Sequence, residues 1–301
     1  MADDFKNILN QGPADQTRLT PFLLIILLIV AGVTAAVLSR PWWESRKNRA
    51  AQPPPEQTVQ NPQQQAFQAI RTLAANKSLE EARRKGYALL AQTKDPSLTA
   101  SLETLLGQIN IELIMSPAPM SEKEEYVVRP GDSLARIARK FKTTVNLIKK
   151  SNALQRTVLH PGDRLRVFKG TFTLTISKSR NDLVLKANDR FFKRYRIGTG
   201  KFGTTPAGTF VITEKIENPP WWRPDGKMIP FGDKENVLGT RWMSLRATSP
   251  TNAVRGYGLH GTWEPETIGV QATAGCVRLL NSEVEELFLL VPTGTSVVIT
   301  E

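Results

Sequence analysis

Residues 171–177, TFTLTIS, alternate polar and apolar side chains and put Phe172, Leu174 and Ile176 on one face. Side chains two apart share a face of a strand but not of a helix, so this stretch predicts a half-buried β-strand. Short runs of the same kind recur at 183–185, after the Asn181-Asp182 turn, and at 194–197 and 210–213. Residues 219–232 are dense in proline, glycine and tryptophan and read as loop. Ser282 and Glu285 have the spacing of a capping box, ahead of a helix face of Val284, Leu287, Phe288 and Val291. A last strand is expected at 295–300. Residues 170–301 are therefore expected to form one mainly β domain, a sandwich or barrel-like fold.

The preceding stretch, 124–169, has a different rhythm. Tyr126-Val127-Val128 reads as a strand, and Pro130-Gly131-Asp132 as a turn with Asp132 or Ser133 available as an N-cap. Leu134, Ile137, Ala138 and Phe141 then mark one helix face. Thr143-Thr144 can cap a second helix carrying Val145 and Ile148. A second Pro161-Gly162-Asp163 turn leads into a strand at 164–167. The expected order is βααβ. This unit carries 11 Lys/Arg and 4 Asp/Glu, a net +7.

Further out, 66–116 reads as a helical spacer of two or three packed helices. Ser78 and Glu81 suggest a capping box, Asp95-Pro96 an N-cap followed by a first-turn proline, and Leu98, Leu102, Leu105, Leu106, Ile109 and Leu113 a helical stripe. Residues 40–65, with three consecutive prolines and many glutamines, read as an extended linker. Residues 19–39 hold an uncharged run, LTPFLLIILLIVAGVTAAVL. About 20 apolar residues suffice to span a bilayer as a helix, and a cleaved signal peptide usually has an apolar core of only about 7–15, so a transmembrane anchor behind an 18-residue tail (1–18) is expected. Arg40, Arg46, Lys47 and Arg49 after the span favour a cytoplasmic C-terminal side, a tendency that a large downstream domain can override.

The chain has 301 residues and a formal charge of +12 from 40 basic and 28 acidic side chains, which favours anionic partners without choosing among nucleic acid, lipid and acidic polymer. No nucleic-acid-binding motif is present. The one cysteine, Cys276, excludes an intramolecular disulfide, and with only His160 and His260 beside it a tetrahedral zinc site is not expected.

Chemistry concentrates in Gly258-Leu259-His260-Gly261-Thr262 and Ala272-Thr273-Ala274-Gly275-Cys276-Val277-Arg278-Leu279. A thiol attacks a carbonyl as thiolate, and a nearby imidazole can take its proton. Gly275 lets backbone approach a substrate closely and can free amides around Cys276 for a developing oxyanion. Trp221, Trp222, Trp242 and Trp263 could stack on sugars, although core and loop packing is the simpler reading. Glu264 and Glu266 read as loop carboxylates.

These segments resemble the active site of the L,D-transpeptidase (YkuD-type) catalytic domain. Gly198-Thr199-Gly200 and Thr205-Pro206-Ala207-Gly208 match further elements of that family in order. The unit at 124–169 resembles a LysM domain, through YVVRPGDSL, IARKF, TTVNLIKKSN and LHPGDRLRV. The resemblance implies a YkuD-like β-sandwich at 170–301 that acts on peptidoglycan stem peptides. Cys276 would be its acyl-accepting nucleophile and His260 the general base. Arg278, Gly275, Gly261 and Thr273 would be substrate or oxyanion residues, Arg278 equally well a brace for its loop. The family often has a second histidine where Ala274 stands. No cofactor or metal is implied. The LysM resemblance implies glycan binding. Together they imply a membrane-tethered acyltransferase of peptidoglycan biosynthesis and cell-wall biogenesis, bearing on cell shape, with its catalytic domain outside the cytoplasmic membrane. A water acceptor would instead make it an L,D-carboxypeptidase, and loss of catalysis a wall-binding structural protein.

Overall fold

The computed structural model describes residues 61–249 and 255–301. The tail (1–18), the apolar run (19–39) and nearly all of the expected linker lie outside the described residues. Among the described residues no helix is long and apolar enough to cross a membrane.

Three helices come first: α1 (Pro62–Ala75), α2 (Leu79–Gln92) and α3 (Pro96–Ile114). The helix expected from residue 66 starts earlier, because Asn61 accepts a hydrogen bond from the Gln63 amide (3.0 Å) and Pro62 supplies a first-turn φ. Asp95 caps α3 as expected, accepting from the Ser97 amide (2.9 Å). The Ser78–Glu81 capping box does not form. Lys77 turns the chain in a left-handed conformation (φ 61°), and the Ser78 amide donates to the Leu73 carbonyl instead. Leu98, Leu102, Leu106, Ile109 and Leu113 are buried, so the apolar stripe of α3 is real.

The next unit has the expected βααβ order: β1 (Lys123–Val127), α4 (Leu134–Phe141), α5 (Val145–Ser151) and β2 (Arg164–Phe168). The two strands pair antiparallel, with Tyr126 opposite Leu165. Ser133 and Thr144 cap the helices by accepting from the Arg136 and Leu147 amides. Tyr126, Val128, Leu134, Ile137, Ala138, Ile148, Leu165 and Val167 form a small core. Leu147, on the other face of α5, enters the main core, and Ser151 Oγ donates to the Ile114 carbonyl (2.5 Å) at the end of α3.

The remaining chain builds β3 (Phe172–Ser177), β4 (Asp182–Ala187), β5 (Arg190–Arg196), β6 (Thr199–Gly200), β7 (Gly208–Glu217), β8 (Trp221–Trp222), β9 (Met228–Ile229), β10 (Arg241–Ser249), β11 (Tyr257–His260), β12 (Gln271–Thr273), β13 (Val277–Arg278), α6 (Asn281–Leu290) and β14 (Ser296–Thr300). The mainly β domain expected at 170–301 is built on one continuous eight-stranded sheet, in the order β13-β11-β10-β7-β14-β3-β4-β5. Its ends are joined by one bridge. Just past β5, Gly198 exchanges two 2.9 Å backbone hydrogen bonds with Arg278 of β13. Alternate residues of these strands fill one core together with Val284, Leu287 and Leu290 of α6. The Ser282–Glu285 capping box is absent. The helix begins at Asn281, whose Oδ1 accepts from the Thr240 amide (3.1 Å) and so ties the helix to the approach to β10.

The first three helices are more than a spacer. They cover β5, an edge strand whose carbonyls would otherwise lack partners. Tyr87 Oη donates to the Phe191 carbonyl (2.6 Å) and Asn110 Nδ2 to the Phe192 carbonyl (2.8 Å). Arg83 holds Asn110 in place through Oδ1 (2.7 Å) and pairs with Glu122.

Candidate active site

β11 and β13 run parallel, with Leu259 opposite Val277 and His260 opposite Arg278. Leu259 and Val277 are buried in the core, which turns His260 and Arg278 to the other face. Cys276 directly precedes Val277, so the same alternation brings it to the face of His260. In this register it occupies the position diagonal to His260. The register thus sets Cys276 two residues before the strand partner of His260.

The imidazole is fixed on three sides. Its Nδ1 faces the Gly261 carbonyl at 2.6 Å, and the Leu238 carbonyl also acts on the ring. Trp242, directly opposite on β10, stacks on the ring with centroids 5.9 Å apart. The indole fits because residue 258 is glycine: a Cβ there would lie 2.6 Å from its ring. His260 is 3 % exposed, and this burial lowers its pKa to about 4, against the pull of the Gly261 and Leu238 carbonyls. Burial also raises the pKa of the Cys276 thiol, opposed by the Gly258 amide and the Arg278 charge. At neutral pH the pair rests as thiol and neutral imidazole, and the thiol faces the Gly256 carbonyl (3.8 Å).

Thr273 brackets the cysteine loop. Its hydroxyl donates to the Cys276 carbonyl (2.7 Å) and accepts from the Gly275 amide (3.0 Å). Gly275 has φ +143°, a region that side-chain-bearing residues avoid, and a Cβ would press on the Tyr257 ring at 2.5 Å. The amides of Gly275 and Gly261, both expected as substrate or oxyanion residues, already have acceptors. The Gly275 N–H is bound to Thr273, and the Gly261 N–H to the Arg241 carbonyl (3.2 Å). The Cys276 N–H, in contrast, has no acceptor among the described residues.

Arg278 shares the face of His260 but reaches into the 262–270 loop, where Nη1 donates to Glu264 (2.7 Å) and Thr267 (3.3 Å). Its side chain braces that loop while its charge acts on both Cys276 and His260. Ala274 is exposed. His160 is exposed in the βααβ unit, next to Arg156 (2.8 Å). Trp222 and Trp263 are 68 % and 52 % exposed, and Trp263 leans on Phe231. Sequence reasoning missed the roles of Trp242 and Thr205. The hydroxyl of Thr205 joins the Gly200 amide to the Gly275 carbonyl, both at 2.8 Å, and only the Thr205-Pro206-Ala207-Gly208 motif hinted at it. Among the described residues no group of three His, Cys, Asp or Glu side chains could hold a metal ion.

Comparison with known proteins places this arrangement in a class. Residues 171–299 match the family model of the L,D-transpeptidase catalytic domain, YkuD, and residues 126–168 match the LysM domain. YkuD of Bacillus licheniformis, which bears the name of an L,D-transpeptidase, is 33 % identical over 184 residues, 58 % of this chain and 98 % of its own length. YkuD of Bacillus subtilis is 31 % identical over 181 residues, 58 % of this chain and 97 % of that protein. YqjB of Bacillus subtilis, similarly named, is 36 % identical over 127 residues, 42 % of this chain and 69 % of its own. The chain is a member of the L,D-transpeptidase family of YkuD type, with a LysM domain ahead of the catalytic domain.

Proposed function

We propose that this protein is a peptidoglycan L,D-transpeptidase working through a Cys276 acyl-enzyme. The observation that supports the reading is the strand register that sets Cys276 diagonal to a buried, neutral His260. The thiol turns from Gly256 toward the imidazole and gives up its proton as Sγ bonds to the carbonyl carbon of the third stem residue. The Cys276 N–H donates to the oxygen that gains charge. The C–N bond to the terminal D-alanine breaks, and the imidazolium returns the proton to the leaving amine. An acceptor amine then attacks the thioester, its proton passes through His260 to Sγ, and the C–S bond breaks. Protein groups suffice for every step.

The LysM domain would hold glycan, and its net charge of +7 suits a carboxylate-rich wall. The apolar run at 19–39 would tether the chain as a single-pass protein of the cytoplasmic membrane, its catalytic domain on the periplasmic or extracellular side. Both devices raise the local concentration of catalytic domain at an insoluble polymer.

Incubation with purified disaccharide-tetrapeptide and mass analysis tests the reading. Cross-linked dimer with loss of one D-alanine supports it. Tripeptide alone makes the acceptor water, and unchanged substrate makes the protein a wall binder without catalysis.

A further inference from the structure

Two threonine hydroxyls, neither of which touches a reacting atom, hold three of the four backbone polar groups of Gly275 and Cys276. Thr273 Oγ1 holds the Gly275 N–H and the Cys276 C=O. Thr205 Oγ1 accepts from the Gly200 N–H and donates to the Gly275 C=O, both at 2.8 Å and both buried. Thr205 is 1 % exposed, so water offers no substitute for either bond.

The Gly275 C=O and the Cys276 N–H belong to one planar trans peptide unit and point in opposite directions. Holding that carbonyl toward Thr205 therefore sends the Cys276 N–H the other way, and this amide is the one group of the set left without a partner among the described residues. We infer that Thr205 is a positioning residue that aims the Cys276 amide at the oxygen of the carbonyl under attack. The inference deepens the acyl-enzyme reading and rests on it.

Thr205→Val keeps the volume but removes the hydroxyl, so the Gly275–Cys276 peptide loses its anchor. Loss of an oxyanion donor costs about 10²–10³ in rate, and a misdirected one should cost roughly 10²-fold in kcat with KM within about 3-fold. Thr205→Ser restores the hydroxyl and should return kcat to within about 3-fold of wild type. Alkylation of Cys276 by iodoacetamide passes through no oxyanion, so its rate in Thr205→Val should stay within about 3-fold of wild type. Unchanged kcat in Thr205→Val, or alkylation and acyl transfer falling together, would overturn the inference. Cys276→Ala separates this from the parent reading. Transfer that survives in Cys276→Ala removes the acyl-enzyme altogether, whereas a dead Cys276→Ala beside a fully active Thr205→Val removes only the role of Thr205.

If Thr205→Val does not fold, the wild-type protein carries the test. In ¹⁵N-labelled protein acylated by a carbapenem, the Cys276 amide proton should move downfield while that of Gly275, already bound to Thr273, stays in place. An unmoved Cys276 amide would contradict the inference.

Discussion

His260 lies directly opposite Arg278 in a parallel strand pair, and that single register makes Cys276 the diagonal neighbour of the imidazole. A slip of one residue would send Cys276 into the core and Val277 to the site. The register is held from both sides. The Leu279 amide donates to the His260 carbonyl (2.9 Å), and Gly198 grips Arg278 through two backbone bonds.

The buried imidazole sets the response to acid. With its pKa lowered to about 4, His260 stays neutral and able to take a proton well below the ordinary histidine range. The acid limb of kcat/KM should therefore fall near pH 4 and not near 6.5, measured on a soluble stem-peptide substrate. Stability follows the same group. The unfolded chain binds the proton near 6.5 and the folded one near 4, so the unfolded state holds more protons between these values. The His260 contribution is thus complete above pH 6.5 and is lost as pH falls toward 4, by at most about 3 kcal/mol. Denaturant titrations of wild type and His260→Gln at pH 7 and pH 4.5 should converge at the lower pH.

Trp242 is the wall that keeps water from the ring. Trp242→Ala should raise the His260 pKa toward 6.5 and move the acid limb of activity with it, at a stability cost of about 1–3 kcal/mol for the lost burial. Titration of the imidazole carbon-bound protons by NMR measures the shift directly.

Asn110 joins the helices to the edge strand. Asn110→Leu leaves the Phe192 carbonyl and Arg83 Nε without their partner, and should cost about 1–3 kcal/mol in denaturant unfolding monitored on the catalytic domain. If the helices were an independent spacer, that domain would unfold unchanged.

The caps offer a local comparison. Asp95→Ala should cost about 1 kcal/mol, because its carboxylate holds the Ser97 amide. Ser282→Ala, which removes no cap, should stay within about 0.5 kcal/mol. Equilibrium unfolding of the two variants decides it.

What could be read from sequence was what depends on near neighbours. The two-residue rhythm of TFTLTIS became β3, and the helix faces and caps of the βααβ unit fell where Ser133, Thr144 and Leu134 put them. Cys276 and His260 stood out because a thiol and an imidazole in that motif have a specific chemistry. Long-range contacts left no local trace. The hydroxyl of Tyr87 finds a carbonyl 104 residues away, and Gly198 closes the sheet onto Arg278. The two capping boxes failed for the same reason in reverse. Their spacing was right, but the reversal at Lys77 and the bond from the Thr240 amide to Asn281 decided the helix starts. Amide direction around Gly275 likewise depends on Thr205, which is distant in sequence.

Intact-protein mass spectrometry after brief mixing with disaccharide-tetrapeptide tests the central assignment most directly. The account predicts a transient adduct equal to the substrate less one D-alanine, mapped by proteolysis to Cys276, absent in Cys276→Ala and formed far more slowly in His260→Gln. Turnover without any adduct on that sulfur, or an adduct of undiminished rate in His260→Gln, would contradict it.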